Sequence, residues 1–140
     1  MLIYLAGRYS RRLELEVKAE ELRDAGHRVE AQWLTGDHEW QGRSGKAQFS
    51  TELAQRWALE DLNDVLAADC VISFTEEPRT ELNRGGRHIE FGIALAAGKR
   101  LLVVGWRENI FHTLPQVEFY ERWSEALAAL GTGADKEKRA

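Results

Sequence analysis

Apolar and polar positions run along this chain in blocks of changing period. "LIYLAG", residues 2–7, is an apolar run closed by glycine and predicts a buried strand. From about residue 11 to 25, Leu15, Ala19 and Leu22 recur at helical spacing, and Gly26 stops the helix. "HRVEAQW" alternates Val29, Ala31 and Trp33, which predicts a strand wet on one side. Residues 35–50, "TGDHEWQGRSGKAQFS", are polar, hold three glycines and show no period. That is the composition of a lid or a disordered segment. A helix over 51–67 and the strand "CVISF", residues 70–74, follow.

The loop "TEEPRTELNRGG" leads into "GGRHIEFGIALAAGKRLLVV", which reads as a glycine-rich turn, a short helix and a strand. Ile89, Ile93 and Ala97 lie on one side of that helix, and Phe91, Ala94 and Leu95 on another. Such a helix should be packed on most sides. "ENIFHTLPQ" is a connector and "VEFY" a short strand. "ERWSEALAAL" is an amphipathic helix with Trp123, Leu127 and Leu130 on a docking face that also offers an oligomer contact. "GTGADKEKRA" reads as a solvated, frayed tail.

Strands alternating with helices imply parallel pairing with helices on both faces. The expected fold is α/β: one doubly wound, mostly parallel five-stranded sheet of order 2-1-3-4-5, flavodoxin-like or Rossmann-like. One domain over residues 1–130 and a tail over 131–140 account for the chain. In such sheets ligands bind beyond the carboxyl ends of the strands, where the order reverses. Here "GRYSRR" and "TEEPRTELNRGGRH" fall at that place.

Composition narrows the function. A chain of 140 residues, 44% hydrophobic and 30% charged, suits a soluble globular domain. A net charge of -4 gives no basic field to recruit a nucleic acid polymer. The apolar runs are too short to span a bilayer, and the first residues lack the basic and long apolar regions of a signal peptide. The single cysteine, Cys70, reads as a small buried hydrophobe, so a reducing cytoplasmic setting is expected. His27, His38, His88 and His112 lack tight metal-ligand spacing; neither a metal nor a cofactor is expected.

Two carboxylates interrupt apolar rows. Glu90 sits early in the packed helix. Asp61 interrupts the row Ala54, Ala58, Val65 and Ala68, while Glu52, Glu60 and Asp64 can face water. A carboxylate against apolar surface is costly unless paired or given chemical work. Pairing of Glu90 with Arg84, Arg87 or His88, or capping of a backbone group, is the structural alternative. Two carboxylates across one crevice are equipment for cleaving a glycosidic bond. "GRYSRR" adds a glycine turn at a helix start, a plausible phosphate cradle. Trp33, His38, Trp40 and Trp106 are candidates to stack on a base.

Three segments, "IYLAGRYS", "DLNDVLAADCVISF" and "GRHIEFGIALAAGKRLLVV", resemble the nucleoside 2-deoxyribosyltransferase family, which includes the deoxynucleoside 5'-monophosphate N-glycosidases. In order and spacing they cover most of residues 2–104. The resemblance implies that Glu90 is the catalytic nucleophile and Asp61 the helix aspartate that positions it or shares proton work at the base. It puts Tyr9 in the turn that meets the nucleoside and makes a 5'-phosphate plausible at that loop. The substrate-binding set is then Gly7, Arg8, Tyr9, Ser10, Arg11, Gly86, Arg87 and His88. Family transferases carry an acidic residue shortly before the glutamate helix, where this chain has Asn83, Arg84, Gly85, Gly86 and Arg87. They also take a C-terminal residue from a neighbouring subunit, so a homo-oligomer, a dimer or higher, is expected. The function implied is cleavage or exchange of the N-glycosidic bond of a nucleoside or its 5'-monophosphate, through a glycosyl-enzyme. The alternative is a non-catalytic nucleotide sensor using the same crevice.

Overall fold

A computed structural model describes residues 1–35, 50–78 and 85–133. Strands β1 (Leu2–Ala6), β2 (Arg28–Val29), β3 (Cys70–Phe74), β4 (Arg100–Val104) and β5 (Val117–Tyr120) form one sheet of order 2-1-3-4-5. Every pairing is parallel. Helices α1 (Arg12–Asp24), α2 (Thr51–Ala67), α3 (Gly86–Ala96) and α4 (Trp123–Leu130) connect and flank the strands. This is the flavodoxin-like α/β arrangement expected from the strand–helix alternation.

The sheet is covered on both sides, which is why its central strands are continuous apolar runs. All five residues of β3 are buried. α2 and α3 pack against each other and on β1, while α3 also covers β3 and β4. On the other face Trp123 of α4 stacks near Phe74, and its Nε1 donates to Glu21 of α1 at 2.7 Å. Ser50 caps α2 by accepting from the Leu53 N–H. Gly85 precedes α3 with φ of 78°, a left-handed turn without a side-chain cap.

Four expectations need correction. "HRVEAQW" is not a full strand. β2 stops at Val29, and Gln32–Thr35 make a turn of 3-10 helix, although Val29, Ala31 and Trp33 are all buried. α3 is not packed on most sides: Ile89 is 66% exposed, and Gly92, Ala96 and Ala97 are exposed as well. In α2, Ala58 is exposed and Asp64 is buried, the reverse of the expected order. The tail is tied down at its start. Gly131 O meets His27 Nε2 at 2.9 Å, and the Gly133 N–H donates to Ala25 O. Residues 134–140, the polar segment 36–49 with His38 and Trp40, and residues 79–84 lie outside the described residues.

Gly7 ends β1 where the chain turns into α1. A Cβ there would lie 2.7 Å from Leu15 Cδ1 and 3.6 Å from Phe74 Cβ. Leu15 is fully buried and has little room to swing. Gly7→Ala is therefore expected to destabilise the fold by about 1–3 kcal/mol, read by urea denaturation. A variant as stable as the parent would mean that Leu15 repacks freely.

Candidate active site

β1, α2 and α3 converge on one carboxylate. Glu90 lies one turn into α3, and burial pushes its pKa up from 4.5 to about 8. The Tyr4 hydroxyl opposes that rise, and the charge of Asp61 adds to it. Tyr4, in the middle of β1, is fully buried. Burial first, then the charges of Glu90 and Asp61, hold its phenol well above 10. The hydroxyl faces Glu90, yet neither Tyr4 OH nor Glu90 Oε2 has a hydrogen bond of regular geometry. Buried polar atoms of this kind are rare and mark places where a group of another molecule can bond.

Asp61 is half-buried on α2, close enough for its charge to act on both Glu90 and Tyr4. The two carboxylates singled out by sequence therefore share one electrostatic environment. Asp64, one turn further on, does other work. Its carboxylate accepts the Gln32 N–H at 2.9 Å and the Gln32 side-chain amide at 3.1 Å. That pairing holds the turn after β2. Trp33 belongs to the same structural set, since its indole N–H donates to Leu5 O at 2.8 Å inside the core.

The loop after β1 is strapped to the loop after β3. Arg11 donates to Thr75 O at 3.1 Å and to Glu76 at 2.8 Å, and also pairs with Glu14. Arg8 reaches Glu76 at 3.4 Å. Tyr9 lies 6.4 Å from the Trp33 ring, and Ser10 is exposed. Gly86 is exposed at the start of α3. Thr75 Oγ1 accepts from the Trp106 N–H at 2.6 Å, and the Trp106 side chain is largely outside the core.

Arg87 is buried against Glu108, which it grips with both terminal nitrogens; Nη2 lies 2.8 Å from Oε2. Burial works to raise the Glu108 pKa, but Arg87 and the Glu76 N–H bring it below the usual value. His88 Nε2 stands 3.7 Å from Glu108, and burial followed by the Arg87 charge lowers the imidazole pKa. Sequence reasoning missed Tyr4 and Glu108. A hydroxyl inside an apolar strand was the available signal for Tyr4; "WREN", a carboxylate just past a strand end, was the signal for Glu108. Among the described residues no group of three or more His, Cys, Asp or Glu is arranged to hold a metal. No described helix is long and apolar enough to cross a membrane.

Solved structures share this fold. The 2-deoxyribosyltransferase of the psychrotolerant bacterium Bacillus psychrosaccharolyticus matches with a TM-score of 0.70 and 20% identity, over 94% of this chain and 97% of that one. The CMP N-glycosidase BcmB of Clostridium botulinum matches with a TM-score of 0.57 and 21% identity, over 93% and 97%. A conserved protein from Enterococcus faecalis V583 matches with a TM-score of 0.52 and 18% identity, over 94% and 88%. No family model and no curated protein matches the chain. At these identities the likeness is one of fold.

Proposed function

We propose that this chain is an enzyme of the nucleoside 2-deoxyribosyltransferase kind, cleaving or exchanging the N-glycosidic bond of a nucleoside or nucleoside 5'-monophosphate. The observation that carries the reading is Glu90: a half-buried residue whose carboxylate Oε2 is sealed from solvent, raised in pKa, facing a buried phenol and sensing a second carboxylate. The two named neighbours of the same fold act on substrates of that class. In this reading ionised Glu90 attacks C1'. The C1'–N bond breaks as the C1'–O bond to Glu90 forms, and the base leaves with the electron pair. Asp61 shares the proton work at the base. Water or a second base then attacks C1' and frees Glu90. The reading includes a cytoplasmic homo-oligomer, for which Leu59, Leu62, Leu66 and Ile89 offer exposed apolar surface.

The test is a panel of nucleosides and 5'-monophosphates, with and without an acceptor base, read by chromatography. Free or exchanged base is expected. A full panel with neither, from folded protein, returns the site to a sensing role.

A 5'-phosphate at "GRYSRR" must share Arg8 and Arg11 with Glu76. Removing that competing charge should free them for the ligand. Glu76→Gln is thus expected to lower KM for monophosphates about tenfold, a difference of about 1.4 kcal/mol, and to leave nucleosides almost unchanged. Equal effects on both substrates would take the phosphate away from this loop.

A further inference from the structure

We propose that Glu108 and His112, in the connector between β4 and β5, are positioning residues that clamp the first turns of α3 and so fix Glu90. This rests on the reading of Glu90 as the nucleophile.

α3 follows Gly85 without a side-chain cap, so no capping side chain at that position holds its first turn. The connector supplies the hold from outside. Glu108 grips Arg87, three residues before Glu90, through both guanidinium ends. The same carboxylate accepts the Glu76 N–H at 2.9 Å, which joins the loop after β3 to the clamp. The Glu108 N–H donates to His112 Nδ1 at 2.9 Å. That bond leaves the proton of neutral His112 on Nε2 and fixes the ring. His112 is 1% exposed and meets Phe91, the residue after Glu90, edge-on with centroids 5.0 Å apart. His88, two residues before Glu90, lies 6.0 Å from the same imidazole.

The helix is thus held at Arg87 and Phe91, one on each side of Glu90 along the chain, by one short segment. A bidentate ion pair fixes direction as well as distance. Reacting groups need that rigidity, because a displacement of about 1 Å can cost on the order of a hundredfold in rate. The Arg87 side chain is buried, so its charge has to be answered locally, and Glu108 answers it.

The experiment compares wild type with Glu108→Gln, His112→Leu and His112→Asn. Each is read by kcat and KM on its best substrate, by thermal unfolding, and by carboxyl-carbon NMR titration of Glu90. Glu108→Gln and His112→Leu are expected to lower kcat about 10- to 100-fold with KM within about threefold. The Glu90 midpoint should fall toward the ordinary carboxylate range as its surroundings loosen. His112→Asn keeps an acceptor for the Glu108 N–H and should recover part of both losses. Should Glu108→Gln fail to fold, the two His112 variants decide. Folded variants with lowered thermal stability, wild-type kcat and an unmoved Glu90 midpoint would overturn the clamp. A wild type that releases no base defeats the reading of the reaction instead, and the NMR titration then judges the clamp alone.

Discussion

Glu90→Gln is expected to lower base release by at least about a thousandfold and to leave the protein folded, because removing a nucleophile removes the covalent route. Glutamine fills the same volume beside Tyr4 but cannot form the glycosyl ester. Rapid quench and intact-mass measurement should show a sugar adduct on the wild type and none on the variant. Turnover close to wild type would remove Glu90 from the chemistry. The pH dependence carries its own sign. Attack needs the carboxylate, and burial holds the Glu90 pKa at about 8. kcat/KM should therefore rise with pH through about 8 and level off above it. A fall across the same interval would make Glu90 a proton donor instead. Stability should run the other way. The folded chain keeps a proton on Glu90 that the unfolded chain gives up near 4.5. The stabilisation is complete below that value and is lost as pH rises through about 8. At pH 9 Glu90→Gln should unfold at a higher temperature than wild type, with the difference shrinking toward pH 5.

Asp61→Asn should lower kcat about a hundredfold with KM within about threefold, in line with the loss of a group that shares proton work. A second effect follows from electrostatics. The Asp61 charge helps to raise the Glu90 pKa, so neutral asparagine should move the rising limb of kcat/KM to lower pH. Steady-state kinetics between pH 5 and 10 would read both effects together. A variant that loses affinity and keeps its maximal rate would make Asp61 a binding residue only. An unmoved limb would mean that the carboxylate titrating in the reaction is not Glu90.

The elements that sequence located well are those whose signals are local. "CVISF" is apolar throughout because β3 is buried on both faces, and α2 spans the residues its period predicts. Glu90 stood out because its neighbours are apolar. The misreadings come from contacts between distant parts of the chain. "HRVEAQW" alternates like a strand, but Asp64 captures the Gln32 N–H and turns the chain away from the sheet. Asp61 and Asp64 lie one turn apart, and their different roles depend on what each meets across the fold. The phenol of Tyr4 was hidden inside a run read as core. Arg8 and Arg11 read as part of a phosphate cradle in sequence, while their partner Glu76 lies far along the chain beyond β3.

The parallel sheet also bears on how the chain is made. β1 leaves the ribosome before the other four strands of the sheet, yet it lies inside the sheet between β2 and β3. Its early partner, β2, spans only two residues. Its other edge waits for β3, whose first residue is Cys70. No hairpin exists among the described strands to nucleate the sheet, since every pairing spans a crossover. Long-range parallel pairing of this kind folds slowly and leaves apolar edges open meanwhile. Until synthesis has passed β3, the nascent chain presents β1 as an open, sticky edge, and Tyr4, Asp61 and Glu90 meet only once α3 has followed.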